Sequence, residues 1–208
     1  MTADHPGDHT AARVVVLAGP SGAGKSRLAQ RLHAAHGWPI VRLDDFYRDE
    51  DDPAMPRSAE LGIVDWDHPD SWNRAAAVDA LATLVTTGSV RTPVYDISTS
   101  RAVDSTTVEA GAHDLVLAEG IFAAEIIGDL RERGLLAGAY CVHHRPFVTF
   151  VRRLARDLRE RRKPPWTLVR RGLALMRVEP AVVARQESLG ATPARAKDLE
   201  PLLAALAR

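Results

Sequence analysis

Cysteine is almost absent. Cys141 stands alone in 208 residues, which excludes an internal disulfide and with it a small, disulfide-stapled secreted fold. Its apolar surroundings predict a buried, inert thiol, and a reducing cytoplasmic setting is the simplest expectation. Long apolar runs are missing too: nothing approaches the roughly 18 consecutive apolar residues that a membrane helix needs, so no membrane partner is expected. The first ten residues are polar and carry no apolar core of a leader, so residues 1–12 read as a disordered tail without a secretory signal. Lysine is scarce beside arginine. Net charge is zero, which removes any overall pull toward nucleic acid or anionic lipid. What remains, 46% hydrophobic and 26% charged residues, has the composition of a globular α/β domain with a sizeable core.

The stretch that organises the chain runs from Val14 to Ser26. Val14-Val15-Val16-Leu17 has the length and composition of one buried strand. It breaks into Gly19-Pro20-Ser21-Gly22-Ala23-Gly24-Lys25-Ser26, the phosphate-binding pattern G-x-x-x-x-G-K-[ST]. Glycines let successive backbone N–H groups turn into one concavity, and the helix that follows adds its free N–H groups and positive dipole end. Lys25 is then expected on the β- and γ-phosphates of ATP, and the Ser26 hydroxyl on Mg²⁺.

Beyond this loop the chain alternates between strand and helix patterns. A helix is predicted from Arg27 to His36, a strand over Pro39–Leu43, a helix over residues 71–87, and strands over Asp114–Gly120 and Gly138–His143. Thr86–Pro93 reads as a turn, Pro93–Asp96 as an extended piece, and Ile121–Arg133 as helix. Arg48–Asp65 has no periodicity and reads as either disorder or a functional loop. An Arg-rich helix is predicted over Arg145–Arg162, with Phe147, Phe150, Val151, Leu154 and Leu158 on its apolar side. His33 and His36 lie three apart but have no third ligand in sequence, so they read as surface histidines. The alternation implies a P-loop NTPase fold: a parallel sheet of about five strands, helices on both faces, and ligands at the strands' C-terminal ends. Those ends carry the loop, Asp44 and Glu119.

In order after the loop come Leu43-Asp44-Asp45-Phe46-Tyr47-Arg48, Asp67-His68-Pro69-Asp70, Pro93-Val94-Tyr95-Asp96, Leu117-Ala118-Glu119-Gly120-Ile121 and Arg152-Arg153-x-x-Arg156-Asp157. This series resembles the uridine kinase branch of the uridine kinase and phosphoribulokinase family, over residues 14–162. The resemblance implies ATP-dependent phosphorylation of the 5′-hydroxyl of a ribonucleoside. Chain length suits a single domain over residues 13–208, and the resemblance, which does not extend to the last forty-odd residues, implies a lid at about residues 145–166 whose Arg153, Arg156 and Arg161 close over the phosphates. It also places Asp67 on the ribose hydroxyls, with Tyr47, Trp66 and Tyr95 walling the acceptor pocket and Arg101 beside them. Where such kinases usually carry a His that reads the pyrimidine edge, this chain has Ser100.

From the chemistry itself, phosphoryl transfer needs a group that accepts the proton of the attacking hydroxyl. Asp44 is the candidate, and it can also hold Mg²⁺ through water; capping its own turn is its alternative. Glu119 would complete a Mg²⁺ shell with Ser26, its alternative being a carboxylate that stabilises a helix N-terminus. The expected partners are ATP and a small nucleoside-like acceptor. Two rivals stand beside this reading: a kinase of another alcohol, such as a sugar phosphate or pantothenate, and a nucleotide-binding regulator without transfer. The basic helix could also track an RNA backbone, but thin aromatic interleaving disfavours nucleic acid. A homo-oligomer stays open.

Overall fold

The structure is a computed structural model, and it describes residues 13–58, 62–111, 114–144, 147, 149–151, 154–155 and 165–206. The tail at 1–12 and the lid arginines Arg153, Arg156 and Arg161 lie outside the described residues.

Five strands form one parallel sheet in the order β2-β5-β1-β6-β7. They are β1 (Arg13–Ala18), β2 (Ile40–Arg42), β5 (Leu115–Glu119), β6 (Leu136–Val142) and β7 (Thr192–Ala194). β1 occupies the centre because its side chains are apolar on both faces. Val14, Val16 and Ala18 face one core, while Val15 and Leu17 face the other, as a period of two requires. The first core is closed by α2 (Arg74–Thr87) through Ala77, Val78, Leu81 and Leu84, and by Ile127 and Leu130 of α3 (Ile127–Glu132). The second is closed by Leu28, Ala29 and Leu32 of α1 (Lys25–His36) together with Leu199 and Leu203 of the last helix, Ala196–Leu206. A 24-residue helix, Pro165–Ser188, precedes β7. In chain order these last two helices are α4 and α5.

The sequence reading is corrected at several elements. Residues 86–109 are not a turn followed by one extended piece. After α2 ends at Gly88 in a left-handed cap, β3 (Ser89–Asp96) and β4 (Arg101–Glu109) form an antiparallel hairpin of their own. β4 is exposed along most of its length, so it lacks the apolar alternation that would have betrayed a half-buried strand. The helix expected from Ile121 begins as a 3₁₀ turn, Ala123–Ile126, before α3. The helix expected from residue 71 starts only at Arg74, because the Asn73 side chain accepts the N–H of Ala76 and caps it there. In the expected Arg-rich helix, residues 147 and 149–151 are helical, but Phe147 and Val151 point to solvent and Thr149 takes the buried position.

Candidate active site

β1 ends at Ala18, and the chain turns through Gly19, Gly22 and Gly24, all with positive φ (140°, 83° and 100°). Gly19 is forced twice over: a Cβ there would stand 2.2 Å from the carbonyl oxygen of Val142 at the end of β6. The loop closes with Ala23 N–H on the Pro20 carbonyl, and α1 starts at Lys25 with no side-chain cap. Its first N–H groups therefore face the concavity formed by Ser21, Gly22, Ala23 and Gly24. Lys25 is buried, its ammonium donating to the carbonyls of Gly19 at 2.8 Å and Pro20 at 3.2 Å.

The neighbouring strand end supplies the acid. Glu119 closes β5 with 6% exposure and accepts the Ser26 hydroxyl at 3.0 Å. Ser26 is the second residue of α1, so this carboxylate stands at the first turn of that helix. Burial, with the charge of Asp44 adding to it, pushes the Glu119 carboxyl above its usual range against the pull of Lys25, the Ser26 hydroxyl and Arg42. Asp44 lies in the 3₁₀ turn Leu43–Phe46 that follows β2. Its Oδ1 accepts the N–H of Ile121 at 2.9 Å, so it reaches across to the turn after β5 instead of capping its own. A Cβ on Gly120 would stand 2.8 Å from that same oxygen and 2.9 Å from Leu43 Cβ, so the two turns meet with no room for a side chain. Ser26, Glu119 and Asp44 offer only oxygen donors, and a hydroxyl beside a desolvated carboxylate fits a hard cation such as Mg²⁺. The described residues contain no group of three or more His, Cys, Asp or Glu side chains able to hold a metal on their own. Phosphate oxygens are the natural complement to such an incomplete set.

Beside this lies an aromatic group. The Tyr47 ring is 5.9 Å from Trp66, 5.7 Å from Tyr95 and 6.0 Å from Phe122, and Phe122 stacks on Trp72 at 6.1 Å. The Tyr47 hydroxyl points to the Trp66 carbonyl at 3.4 Å. Burial above all, then the charges of Asp44 and Asp67, push its pKa up. The Tyr95 hydroxyl donates to the Arg48 carbonyl, and burial, with Asp49 and Glu50 adding to it, pushes it up to about 12. Asp67 itself is exposed.

The hairpin tip behaves differently from the other predicted residues. Arg101 is exposed and paired with Asp51 at 2.8 Å. Ser100 sits in the left-handed region at φ 53° and uses its carbonyl to accept the Glu50 N–H. Phe122, Trp72, Asp45 and Asp49 escaped the sequence reading. Asp45 accepts the Tyr95 N–H at 3.4 Å and Asp49 the Ala102 N–H at 2.8 Å. Burial pushes the Asp45 carboxyl up, against Arg42 and the Tyr95 N–H. Phe122 was within reach as the third residue after Glu119; the two aspartates carried no signal beyond being acidic.

A family model described as "Phosphoribulokinase / Uridine kinase family" matches residues 14–165. Among curated proteins, the uridine kinase of Deinococcus deserti is 30% identical over 179 residues, which span 81% of this chain and 80% of that one. The uridine kinase of Lactobacillus johnsonii is 27% identical over 168 residues, spanning 79% and 76%. Among solved structures, a protein named "putative fructose transport system kinase" from Silicibacter sp. TM1040 superposes with a TM-score of 0.62 over 89% of this chain and 88% of that one, at 18% identity. That likeness is one of fold. No helix among the described residues is long and apolar enough to cross a membrane.

Proposed function

From the premise that this chain belongs to the phosphoribulokinase and uridine kinase family, we propose that it transfers the γ-phosphate of ATP to the 5′-hydroxyl of a ribonucleoside. The observation that carries the proposal is the meeting of two strand-end turns. Lys25 and the Ser26–Glu119 pair lie on one side, and Asp44, fixed by the Ile121 N–H, lies on the other.

The chain's own residues divide the work. Backbone N–H groups of residues 21–25 and the Lys25 ammonium bind the β- and γ-phosphates. Ser26, Glu119 and Asp44 would hold Mg²⁺, which supplies charge neutralisation across the phosphates when bound. Asp44 orients the acceptor hydroxyl and takes its proton as the oxygen bonds to the γ-phosphorus and the bond to the β–γ bridging oxygen breaks, releasing ADP. Asp67 accepts hydrogen bonds from the two vicinal ribose hydroxyls, and Tyr47, Trp66, Tyr95 and Phe122 exclude water from the acceptor. The arginines Arg153, Arg156 and Arg161 would close on the phosphates, and Ser100 and Arg101 would edge the base. The expected setting is the cytoplasm.

A panel with labelled ATP tests this reading against ribonucleosides, 2′-deoxyribonucleosides, sugar phosphates and pantothenate. Label on the ribonucleosides is expected. Label confined to a sugar phosphate or pantothenate would move the acceptor to that class, and ATP binding without transfer to any of them would make the chain a nucleotide-dependent regulator.

A further inference from the structure

We propose that Gln186, in the last turn of α4, is a positioning residue for Asp44, acting through the backbone of Ile121. The proposal rests on the reading of Asp44 as the proton acceptor. Gln186 is only 5% exposed, and a buried amide is costly unless both of its ends are bonded. Both are. Its Nε2 donates to the Ile121 carbonyl at 3.3 Å, and its Oε1 accepts from Cys141 Sγ at 3.2 Å. The orientation of the amide follows from chemistry, since a backbone carbonyl can only accept and the NH₂ end must face it. The other end then needs a donor. Burial pushes the Cys141 thiol up to about 11, so it keeps its S–H at neutral pH.

Ile121 is thereby held at both of its polar atoms. Its carbonyl is fixed by Gln186, and its N–H is the group that holds Asp44 Oδ1 at 2.9 Å. Only one φ and one ψ separate the two bonds, so the setting of the carbonyl is passed to the N–H. The contact at Gly120, where a Cβ would stand 2.8 Å from Asp44 Oδ1, leaves the turn little room to absorb an error. Gln186 therefore ties the end of α4, and β6 through Cys141, to the carboxylate at the acceptor. Next to it, Arg185 pairs with Glu125 at 2.8 Å. That contact docks the same helix on the same segment without touching Ile121, and it separates docking from positioning.

The test uses the full chain with Mg·ATP and uridine, together with amide hydrogen exchange followed residue by residue in NMR spectra. Gln186→Met removes both polar ends at nearly constant volume. It is expected to lower kcat about 10-fold, less than the roughly 100-fold that a 1 Å misplacement costs. The acceptor KM should stay within about 2-fold. Exchange at the Ile121 amide should accelerate, with the rest of β5 and β6 unchanged. Arg185→Gln should leave kcat and the Ile121 amide as in the native chain. If Gln186→Met does not fold, Gln186→Leu takes its place with the same expectations, because it too removes both polar ends. Native kcat, or native exchange at Ile121, in the Gln186 variant overturns the proposal. So does exchange that rises evenly across α4, β5 and β6, or an equal loss of kcat in Arg185→Gln. If the native chain phosphorylates no acceptor, the kinase reading fails, and the Ile121 exchange, which needs no turnover, decides alone whether Gln186 holds the partner of Asp44.

Discussion

The two halves of the candidate site are built on different principles. The phosphate side is local and backbone-made: three positive-φ glycines, an uncapped helix start and a buried lysine within eight consecutive residues, with Glu119 brought alongside by sheet pairing. The acceptor side is assembled from segments distant in sequence. Asp44, Tyr47, Trp66, Tyr95 and Phe122 lie on three turns and a hairpin, joined by ring contacts and by carboxylates bonded to backbone N–H groups. A backbone cradle accepts any nucleoside triphosphate, because every one presents the same phosphates. A side-chain pocket can change its acceptor without disturbing the sheet, so selectivity is expected there.

The comparison predicts different kinds of failure on the two sides. The largest is Lys25→Ala, which should abolish turnover and weaken ATP binding, since it deletes the buried cation proposed to bind the transferred phosphate. Titration with ATP and a coupled assay check it, and an active variant would contradict the phosphate-side account. Asp44→Asn should lower kcat on the order of 10²-fold or more with little change in the acceptor KM, because the amide keeps the shape but cannot take the proton. Collapse of acceptor binding at constant kcat would make Asp44 a binding residue instead.

The smallest effect concerns stability. The Glu119 carboxyl is held above its ordinary value of 4.5, chiefly by burial. Between that value and the raised one the folded chain binds more protons than the unfolded chain, so stability falls as pH rises through this window. Glu119→Gln removes the ionisation. In the absence of nucleotide the variant should therefore melt higher than the native chain at neutral pH, and the gap should close as pH falls toward 4.5. It should also lose most of the stabilisation that Mg·ATP gives the native chain. Melting curves across pH, with and without Mg·ATP, measure both effects, and a variant that melts lower at neutral pH would contradict the sign.

The sequence was most readable where structure is local. The strand, loop and helix from Val14 to His36 follow from one motif and one apolar run, and β5 follows from a run of buried residues that ends in Glu119. β7, the fifth strand of the sheet, has three residues including Pro193, too few to show a period. The hairpin was missed because β4 pairs only with β3 and shows solvent most of its side chains. The acidic stretch after Arg48 read as a structureless loop. In the fold two of its carboxylates hold the hairpin, Asp49 through the Ala102 N–H and Asp51 through Arg101, as does Asp45, just before the stretch, through the Tyr95 N–H. No single-sequence signal separates such aspartates from solvated ones, because the partner groups lie about fifty residues away and are mostly backbone. Phe122 is similar: its place in the aromatic group comes from the turn after β5, not from any period in the chain.

In the proposed function a nucleotide-binding half is joined to a sugar-reading half whose selectivity would rest on Asp67. The direct measurement is kcat/KM for uridine against 2′-deoxyuridine, in the native chain and in Asp67→Asn. A hydrogen bond from the sugar to this exposed carboxylate contributes about 0.5–1.5 kcal/mol, so the native chain should favour uridine by roughly 2- to 13-fold. The ratio should fall toward unity in the variant. Equal rates on the two substrates in the native chain, or a preference that survives in Asp67→Asn, would contradict the account.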